Sequence, residues 1–136
     1  MASQPDTDLI ATLKSLGAVK FDLLLPETKA LPAVIKVDEK LLGIVYGRYR
    51  QDKNDLVSRG ALVATDKRII LINKKPMLLE SDEITYRAIS GVDFTWVGLM
   101  GTVSLHTRMG DIHVRTFNKK CARIFVDVIK ANVSRT

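Results

Sequence analysis

Residues 60–73 restrict the fold of this chain more than any other segment, because they read as two aliphatic strands joined by a turn at 66–67. With that turn, Ala64 lies opposite Ile69 and the pairing continues outward in register. Side chains alternate between the two faces of a strand, so each face of this hairpin receives its own aliphatic set. The sets are Leu62, Ala64, Ile69 and Leu71 on one face, and Ala61, Val63, Ile70 and Ile72 on the other.

A hairpin that is apolar on both faces needs two covers, whereas antiparallel sheets usually leave one face to water. The core of the domain supplies one cover. We expect the second to come from a short amphipathic helix over residues 6–16, or from a neighbouring protomer. The helix would use the apolar side chains of Leu9, Ile10, Leu13 and Leu16.

The length of 136 residues suits a single domain, and the net charge of +6 is concentrated in two zones. Residues 48–75 carry eight Lys or Arg against three acidic residues, and residues 118–136 carry five against one. Residues 76–95 are acidic instead. The basic zones fit either contact with phosphate or a solubilising surface on a basic protein.

The single cysteine, Cys121, excludes an internal disulfide and a multi-cysteine metal site. No apolar run reaches the roughly 20 residues that a bilayer crossing requires. The first residues lack the basic and apolar parts of a secretory signal. We therefore expect a cytoplasmic protein.

The remaining elements follow from periodicity and turn signals. A second helix is predicted to begin at Pro26 and to be limited by Pro32, and a terminal amphipathic helix is predicted to follow an N-cap at Asn118. Strands are predicted at 41–50, 58–65, 68–74, 78–86, 88–95, 102–108 and 111–117.

Two phrases in this order of elements resemble the bacterial pleckstrin-homology (PH) domain family, particularly its YokE-like branch. Residues 60–70 read GALVATDKRII and residues 83–92 read EITYRAISGV. The resemblance implies a mainly β fold with α: a PH-like barrel of seven antiparallel strands in two near-orthogonal sheets, capped by a C-terminal amphipathic helix. It covers residues 36–136 as the PH-like domain and leaves residues 1–35 as a helical extension. It implies no enzymatic activity.

PH domains that bind phosphoinositides use basic residues near strand-connecting loops. By resemblance, the candidate anion or lipid site comprises Arg48, Arg50, Lys53, Lys74, Lys75 and Arg108. The chain departs from the lipid-binding pattern, because its Arg-x-Arg ends the first strand and the second strand offers only Arg59. Asp52 and Asp55 in the same loop would also repel phosphate.

The segment from Phe94 to Gly101 combines the only tryptophan with other apolar residues in a predicted loop. Three alternatives remain open: it packs under the N-terminal helices, it inserts into a membrane, or it contacts a protein. The candidate interface comprises Trp96, Val97, Leu99 and Met100.

A two-residue turn at Met109-Gly110 would place His106 directly opposite His113 on the outer face. Two histidines without a third ligand do not make a zinc site, and no carboxylate is predicted nearby. Val103, Leu105, Ile112 and Val114 should then point into the core. Cys121 lies on the apolar stripe of the terminal helix and has no acid–base partner, so buried packing is favoured over catalysis.

The sequence thus predicts a non-catalytic interaction module without metal or cofactor. Self-association or a protein partner is the preferred role, and a peripheral anionic-lipid module is the alternative. Nucleic-acid binding through Lys119, Lys120, Arg123 and Lys130 is weaker, because the helix is committed to the barrel and stacking aromatics are scarce. No specific nucleic acid is expected as a partner.

Overall fold

The computed structural model describes residues 7–51, 54–75, 78–108 and 110–135. Three helices precede the strands and one follows them: α1 (Thr7–Ser15), α2 (Lys20–Leu23), α3 (Pro26–Val34) and α4 (Lys119–Arg135). The strands are β1 (Leu41–Gln51), β2 (Asn54–Thr65), β3 (Ile69–Lys75), β4 (Leu78–Ile84), β5 (Ile89–Val97), β6 (Met100–Thr107) and β7 (Ile112–Thr116). A short 3₁₀ turn, Tyr86–Ala88, separates β4 from β5.

The strands form an antiparallel sheet in the order β4-β3-β2-β1-β7-β6-β5. The register of the β2–β3 hairpin is the predicted one, with Ala64 opposite Ile69 and Ala61 opposite Ile72. Thr65 N donates to Arg68 O at 2.9 Å and closes the turn. The prediction from turn chemistry is confirmed at this hairpin.

The predicted division into two near-orthogonal sheets that close a barrel is not confirmed. All seven strands lie in one hydrogen-bonded sheet, and β4 and β5 do not pair with each other in the described residues. β1 joins the two halves because it pairs with β2 over most of its length and with β7 near its end.

One face of the sheet packs against α4. The side chains of Leu62, Ala64, Ile69 and Leu71 belong to this core, together with Val103, Leu105, Ile112 and Val114. From the helix, Phe125 and Ile129 are fully buried there. Asn118 accepts a hydrogen bond from Cys121 N at 3.1 Å through its Oδ1, so it caps the helix as predicted.

The opposite face packs against the N-terminal helices. Its core includes Ala61, Val63, Ile70 and Ile72 from the hairpin. From the extension, Leu13 and Leu31 are fully buried, and Leu9 and Leu16 pack at the edge. Burial of each such side chain is worth about 1.5–3 kcal/mol. The second cover of the double-sided hairpin is therefore supplied by the chain itself.

The extension differs from the prediction in two details. α2 was not predicted; at four residues it is too short for periodicity to reveal. α3 begins at Pro26 as expected but continues past Pro32 to Val34. A proline removes one N–H bond within a helix, and the burial of Leu31 beside it offsets part of that loss.

The two phrases that carry the family resemblance meet in space around Arg68. Its guanidinium donates to both carboxylate oxygens of Glu39, at 2.8 and 2.7 Å, to Val34 O at 2.9 Å and to Glu83 at 3.3 Å. From the second phrase, Tyr86 Oη donates to Thr65 O at 2.5 Å. The hydrogen bonds from Arg68 hold the pKa of Glu39 at about 2. We call Arg68, Glu39, Thr65, Glu83 and Tyr86 the hairpin clamp.

Candidate functional site

A groove of about 640 Å³ opens on the sheet face that carries the extension. One wall comes from α2 and the start of α3, through Val19, Phe21, Leu25 and Glu27. The other comes from the sheet and the start of α4, through Arg48, Arg59, Arg115, Phe117, Met100 and Lys119. We call this the arginine groove. Its rim is apolar as well as basic, since Phe21 and Phe117 are largely exposed.

Three arginines stand side by side across neighbouring strands in this groove. Arg48 on β1 lies opposite Arg59 on β2 and opposite Arg115 on β7. Directly opposite residues have Cβ atoms about 5 Å apart, where like charges repel. None of the three forms an ion pair within the described residues, and all are exposed. We call them the arginine row.

Lys119 adds a fourth cation at the rim of the groove. Its Nζ lies 5.6 Å from the centroid of the Trp96 ring. A cation above an aromatic face is attracted by the ring quadrupole, and the contact holds Lys119 in place without neutralising its charge. The groove therefore combines four positive charges at its exposed rim with apolar walls and with two buried acidic residues, Asp22 and Glu27. The surplus of positive charge attracts an anionic ligand bearing apolar groups.

The floor of the groove is a buried polar network. Asp22 accepts hydrogen bonds from Val19 N at 2.9 Å and from Asn118 Nδ2 at 3.0 Å. Thr28 Oγ1 lies 2.6 Å from Asp22 O and 2.6 Å from Tyr46 Oη. Burial raises the pKa of Tyr46 well above its ordinary value, so the phenol stays protonated.

Cys121 is fully buried beside this network. Burial, with a smaller contribution from the charge of Asp22, raises the pKa of its thiol to about 12. A thiol with that pKa is not a nucleophile at neutral pH. The burial predicted from the apolar stripe is confirmed.

The structure brings one of the predicted anion-site residues into the groove, Arg48. Arg50 lies two residues further along β1, opposite His113, and Arg108 is exposed in the β6–β7 connection. Lys53 lies outside the described residues, as do the side chains of Lys74 and Lys75. The last described residues of β1, β3 and β6 lie at one end of the sheet. The proposed loop site remains a prediction.

Sequence reasoning missed Arg115 as a site residue and assigned Lys119 to a different surface. The missing information was the pairing of β1 with β7, which joins strands separated by most of the domain. Arg59 was noticed only as a departure from the lipid-binding pattern. Alternation places Arg48, Arg59 and Arg115 outward on their strands, but only the register between strands makes them neighbours.

The predicted interface divides into a packed part and an exposed part. Trp96 lies across Gly101, makes an edge contact with Phe94 at 5.9 Å, and donates through Nε1 to Gly98 O at 2.7 Å. Val97 and Leu99 are 74% and 83% exposed. The N-terminal helices therefore do not cover Val97 and Leu99.

The predicted 98–101 loop is a tight turn, because β5 and β6 pair as far as Val97 and Met100. Gly98 has φ +63 and Leu99 does not have positive φ. That combination fits a type II′ hairpin turn, which requires glycine at its first central position. We call Val97 and Leu99 the hairpin tip.

The predicted pairing of the two histidines is wrong. His113 lies opposite Ser104, two positions from the expected register, and its Nδ1 is 2.8 Å from Ser104 Oγ. His106 instead lies between two carboxylates, 2.6 Å from Asp93 and 2.8 Å from Asp111. Hydrogen bonds that protonated His106 donates to Asp93 and, to a smaller extent, to Asp111 raise the pKa of its imidazole. Carboxylates are thus present where none was expected.

No cluster of three or more metal-ligating side chains occurs within the residues that the structure describes. In the same ranges, none of the helices combines the length and hydrophobicity that a bilayer crossing requires.

Comparison with family models gives one assignment, which agrees with this architecture. The model described as "Bacterial PH domain" matches residues 35–131. The chain belongs to the bacterial PH domain family. PH domains are generally non-catalytic interaction modules. A comparison with curated proteins gave no match.

Solved structures show that this bacterial PH domain shares its fold with other PH domains. It is similar to the Vps36 N-terminal PH domain, with a TM-score of 0.56 at 15% identity over 75% of this chain and 84% of that one. It is similar to the PH domain of USP37, with a TM-score of 0.51 at 12% identity over 68% and 98%. It is also similar to the C-terminal domain of an unknown protein from Leishmania infantum, with a TM-score of 0.53 at 15% identity over 78% of this chain and 93% of that one.

Proposed function

We propose that this bacterial PH domain is a non-catalytic module that binds an acidic segment of a partner protein in the arginine groove. The observation that carries the proposal is the arginine row, which has no carboxylate partner in the described residues. Adjacent like charges destabilise a sheet, and an anionic ligand relieves that repulsion when it binds. The apolar rim supplies contact for hydrophobic side chains of the same segment.

The position of the groove supports a partner that binds beside the extension. The double-sided strands had two possible second covers, the N-terminal helix and a neighbouring protomer. The extension now accounts for that face. The groove is what remains open on it, and it lies between the extension and the sheet.

A charge reversal tests the proposal. The probe is a short fluorescein-labelled peptide of alternating glutamate and leucine, titrated by fluorescence anisotropy. Arg48→Glu with Arg115→Glu is expected to weaken binding by at least about tenfold, and added salt to weaken wild-type binding. Arg87→Glu is the matched control, because Arg87 is exposed and does not line the groove. Binding that survives the double reversal contradicts the proposal.

The lipid alternative uses a different set of residues and can be separated in parallel. Binding to anionic vesicles through the loops should depend on Arg108, whereas peptide binding in the groove should not. Arg108→Glu is therefore assayed with both the peptide and phosphatidylserine vesicles. Vesicle binding that needs Arg108 while the peptide fails to bind would favour the lipid module.

The hairpin tip supports a second candidate function, which is self-association. Two largely exposed aliphatic side chains at the end of a hairpin gain free energy when a second copy covers them. Leu99→Lys should lower the mass found by light scattering at about 100 μM, a concentration that detects contacts stronger than roughly 5 kcal/mol. Val37→Lys is the control, since Val37 is exposed outside the tip. A monomeric wild type at that concentration excludes this role.

Two finer assignments complete the proposal. The YokE-like branch rests on the two quoted phrases, whose residues supply four of the five members of the hairpin clamp. A cytoplasmic location rests on the single cysteine, which indicates no reliance on disulfides.

A further inference from the structure

One carboxylate oxygen on the floor of the arginine groove is unsatisfied. Glu27 is 2% exposed, and its Oε1 has no hydrogen-bond partner in the described part of the chain. Its polar neighbours are all bonded, as Asp22, Thr28 and Tyr46 share one network. Glu27 Oε1 therefore lacks a hydrogen-bond partner although the neighbouring polar side chains Asp22, Thr28 and Tyr46 each have one.

Buried polar atoms in native proteins are almost always hydrogen-bonded, because a lost bond to water must be replaced. The cations that line the same groove do not replace it: neither the arginine row nor Lys119 forms an ion pair with Glu27 in the described residues. Glu27 lines a groove that is open to solvent above it. A group that enters the groove can supply the missing donor.

We infer that the occupant of the arginine groove is a polypeptide segment that donates a hydrogen bond to Glu27 while its acidic side chains face the arginine row. This inference rests on the proposed function and specifies the ligand. A ligand in the groove faces the Glu27 carboxylate on the floor and the guanidinium groups of the arginine row at the rim. It therefore needs a hydrogen-bond donor toward the floor and anionic acceptors toward the rim. A peptide has both, in its main-chain N–H groups and its acidic side chains. A polyphosphate at neutral pH supplies acceptors but scarcely any donor.

The test compares two probes on the full chain, the glutamate–leucine peptide and inorganic tripolyphosphate. Glu27→Met removes the carboxylate and keeps a side chain of similar length. The peptide should bind about tenfold more weakly to this variant, because a hydrogen bond to a charged group is lost. Tripolyphosphate affinity should not fall, because the carboxylate of Glu27 repels a polyanion and its removal takes a like charge out of the groove. Glu27→Gln keeps an acceptor oxygen and should retain most of the peptide affinity.

Thermal stability gives an independent readout. Replacing an unsatisfied buried carboxylate with an apolar side chain should raise the melting temperature of the free protein, by about 3 °C. A residue that only supports the fold would show the opposite change. A Glu27→Met protein that melts lower and binds more weakly therefore overturns the inference.

The outcomes distinguish a failure of the hydrogen bond to Glu27 from a failure of peptide binding in the arginine groove. Peptide binding that depends on Arg48 and Arg115 but not on Glu27 overturns this inference and leaves the proposed function intact. Equal losses for peptide and tripolyphosphate in Glu27→Met also overturn it. Failure of the peptide to bind the wild type overturns the proposed function itself.

Discussion

Arginine side chains occupy two contrasting environments in this molecule: paired with carboxylates at the hairpin clamp, and exposed beside one another in the arginine row. Arg68 is surrounded by acceptors, and its partner Glu39 has a fully buried side chain. Arg48, Arg59 and Arg115 are exposed, stand opposite one another, and have no carboxylate partner in the described residues. Arg68 pairs with two carboxylates, whereas the three arginines of the row form no ion pair within the described ranges of the chain.

The contrast shows that a basic residue marks a binding site only when its own fold does not neutralise it. Arg68 of the clamp and two members of the row, Arg48 and Arg59, fall within the same basic stretch, residues 48–75, and the hairpin clamp carries the more recognisable motif. That motif is structural, because it fixes the β2–β3 turn to the segment that leads from α3 into β1. The arginine row carries no motif, yet it has the surplus charge that a ligand can use.

The largest expected effect comes from breaking the clamp. Arg68→Met leaves the buried Glu39 carboxylate without its cation, which should lower the free energy of unfolding by about 3–5 kcal/mol. The same substitution in the row, Arg48→Met, should change it by less than about 0.5 kcal/mol. Urea denaturation of both variants makes the comparison. Equal decreases in the free energy of unfolding for the two variants would contradict the proposed difference between the clamp and the row.

Acid should weaken the clamp by a calculable amount. The folded pKa of Glu39 lies at about 2, below its ordinary value of 4.5. A lowered carboxyl pKa gives stability that is complete above about pH 4.5 and is lost as the pH falls through about 2. The advantage of the wild type over Glu39→Gln should shrink across this window by on the order of 2 kcal/mol, after allowance for screening. A stability difference between the wild type and Glu39→Gln that stays constant across this pH range would contradict the lowered pKa of Glu39.

Relief of repulsion in the row should have a smaller effect of opposite sign. Arg59→Gln removes one of the cross-strand contacts between like charges and should stabilise the protein by about 0.2–1 kcal/mol, more at low salt than at high salt. The control is Arg87→Gln, at an exposed position outside the sheet, which should be neutral. Destabilisation by Arg59→Gln would show that the row is held by contacts of its own.

The smallest effect concerns His106, a charged group that is paired like Arg68 but lies nearer the surface. Its pKa is raised in the folded state, so its contribution to stability is complete below about pH 6.5 and is lost as the pH rises through the folded value. An NMR titration should find its pKa above about 6.5, the ordinary value of a histidine. Asp93→Asn should bring the pKa of His106 closer to that ordinary value. A wild-type pKa at or below the ordinary value would contradict this assignment.

The sequence predicted the parts of the fold that depend on local chemistry. The turn at 66–67 and the twofold alternation of side chains were sufficient to give the β2–β3 register and both hydrophobic faces. At the β6–β7 connection the chain reversal is centred one residue earlier than predicted, since Gly110 N donates to Thr107 O, and His113 therefore lies opposite a different neighbour. A shift of two positions preserves the faces, and for that reason Leu105 and Ile112 were still placed in the core.

The candidate site was harder to predict because it depends on contacts between distant parts of the chain. Arg48 was recognised as a candidate, but its neighbour Arg115 comes from a strand that could not be aligned with β1 in advance. Glu27 was not recognised, since a carboxylate in the first turn of a helix ordinarily needs no further explanation. Only its burial beneath the groove distinguishes it.

The long-range hydrogen bonds of Asn118 bear on when the arginine groove forms during folding. Its side chain donates to Gly17 O at 2.9 Å and to Asp22 at 3.0 Å, contacts that span 101 and 96 residues. Closing so long a segment of chain costs entropy before the contact returns any free energy, so such contacts form late in folding. A ribosome delivers the extension before it delivers Asn118. The wall of the arginine groove is thus synthesised well before the residue that secures it, and a nascent chain that still lacks Asn118 has no finished groove to offer a partner.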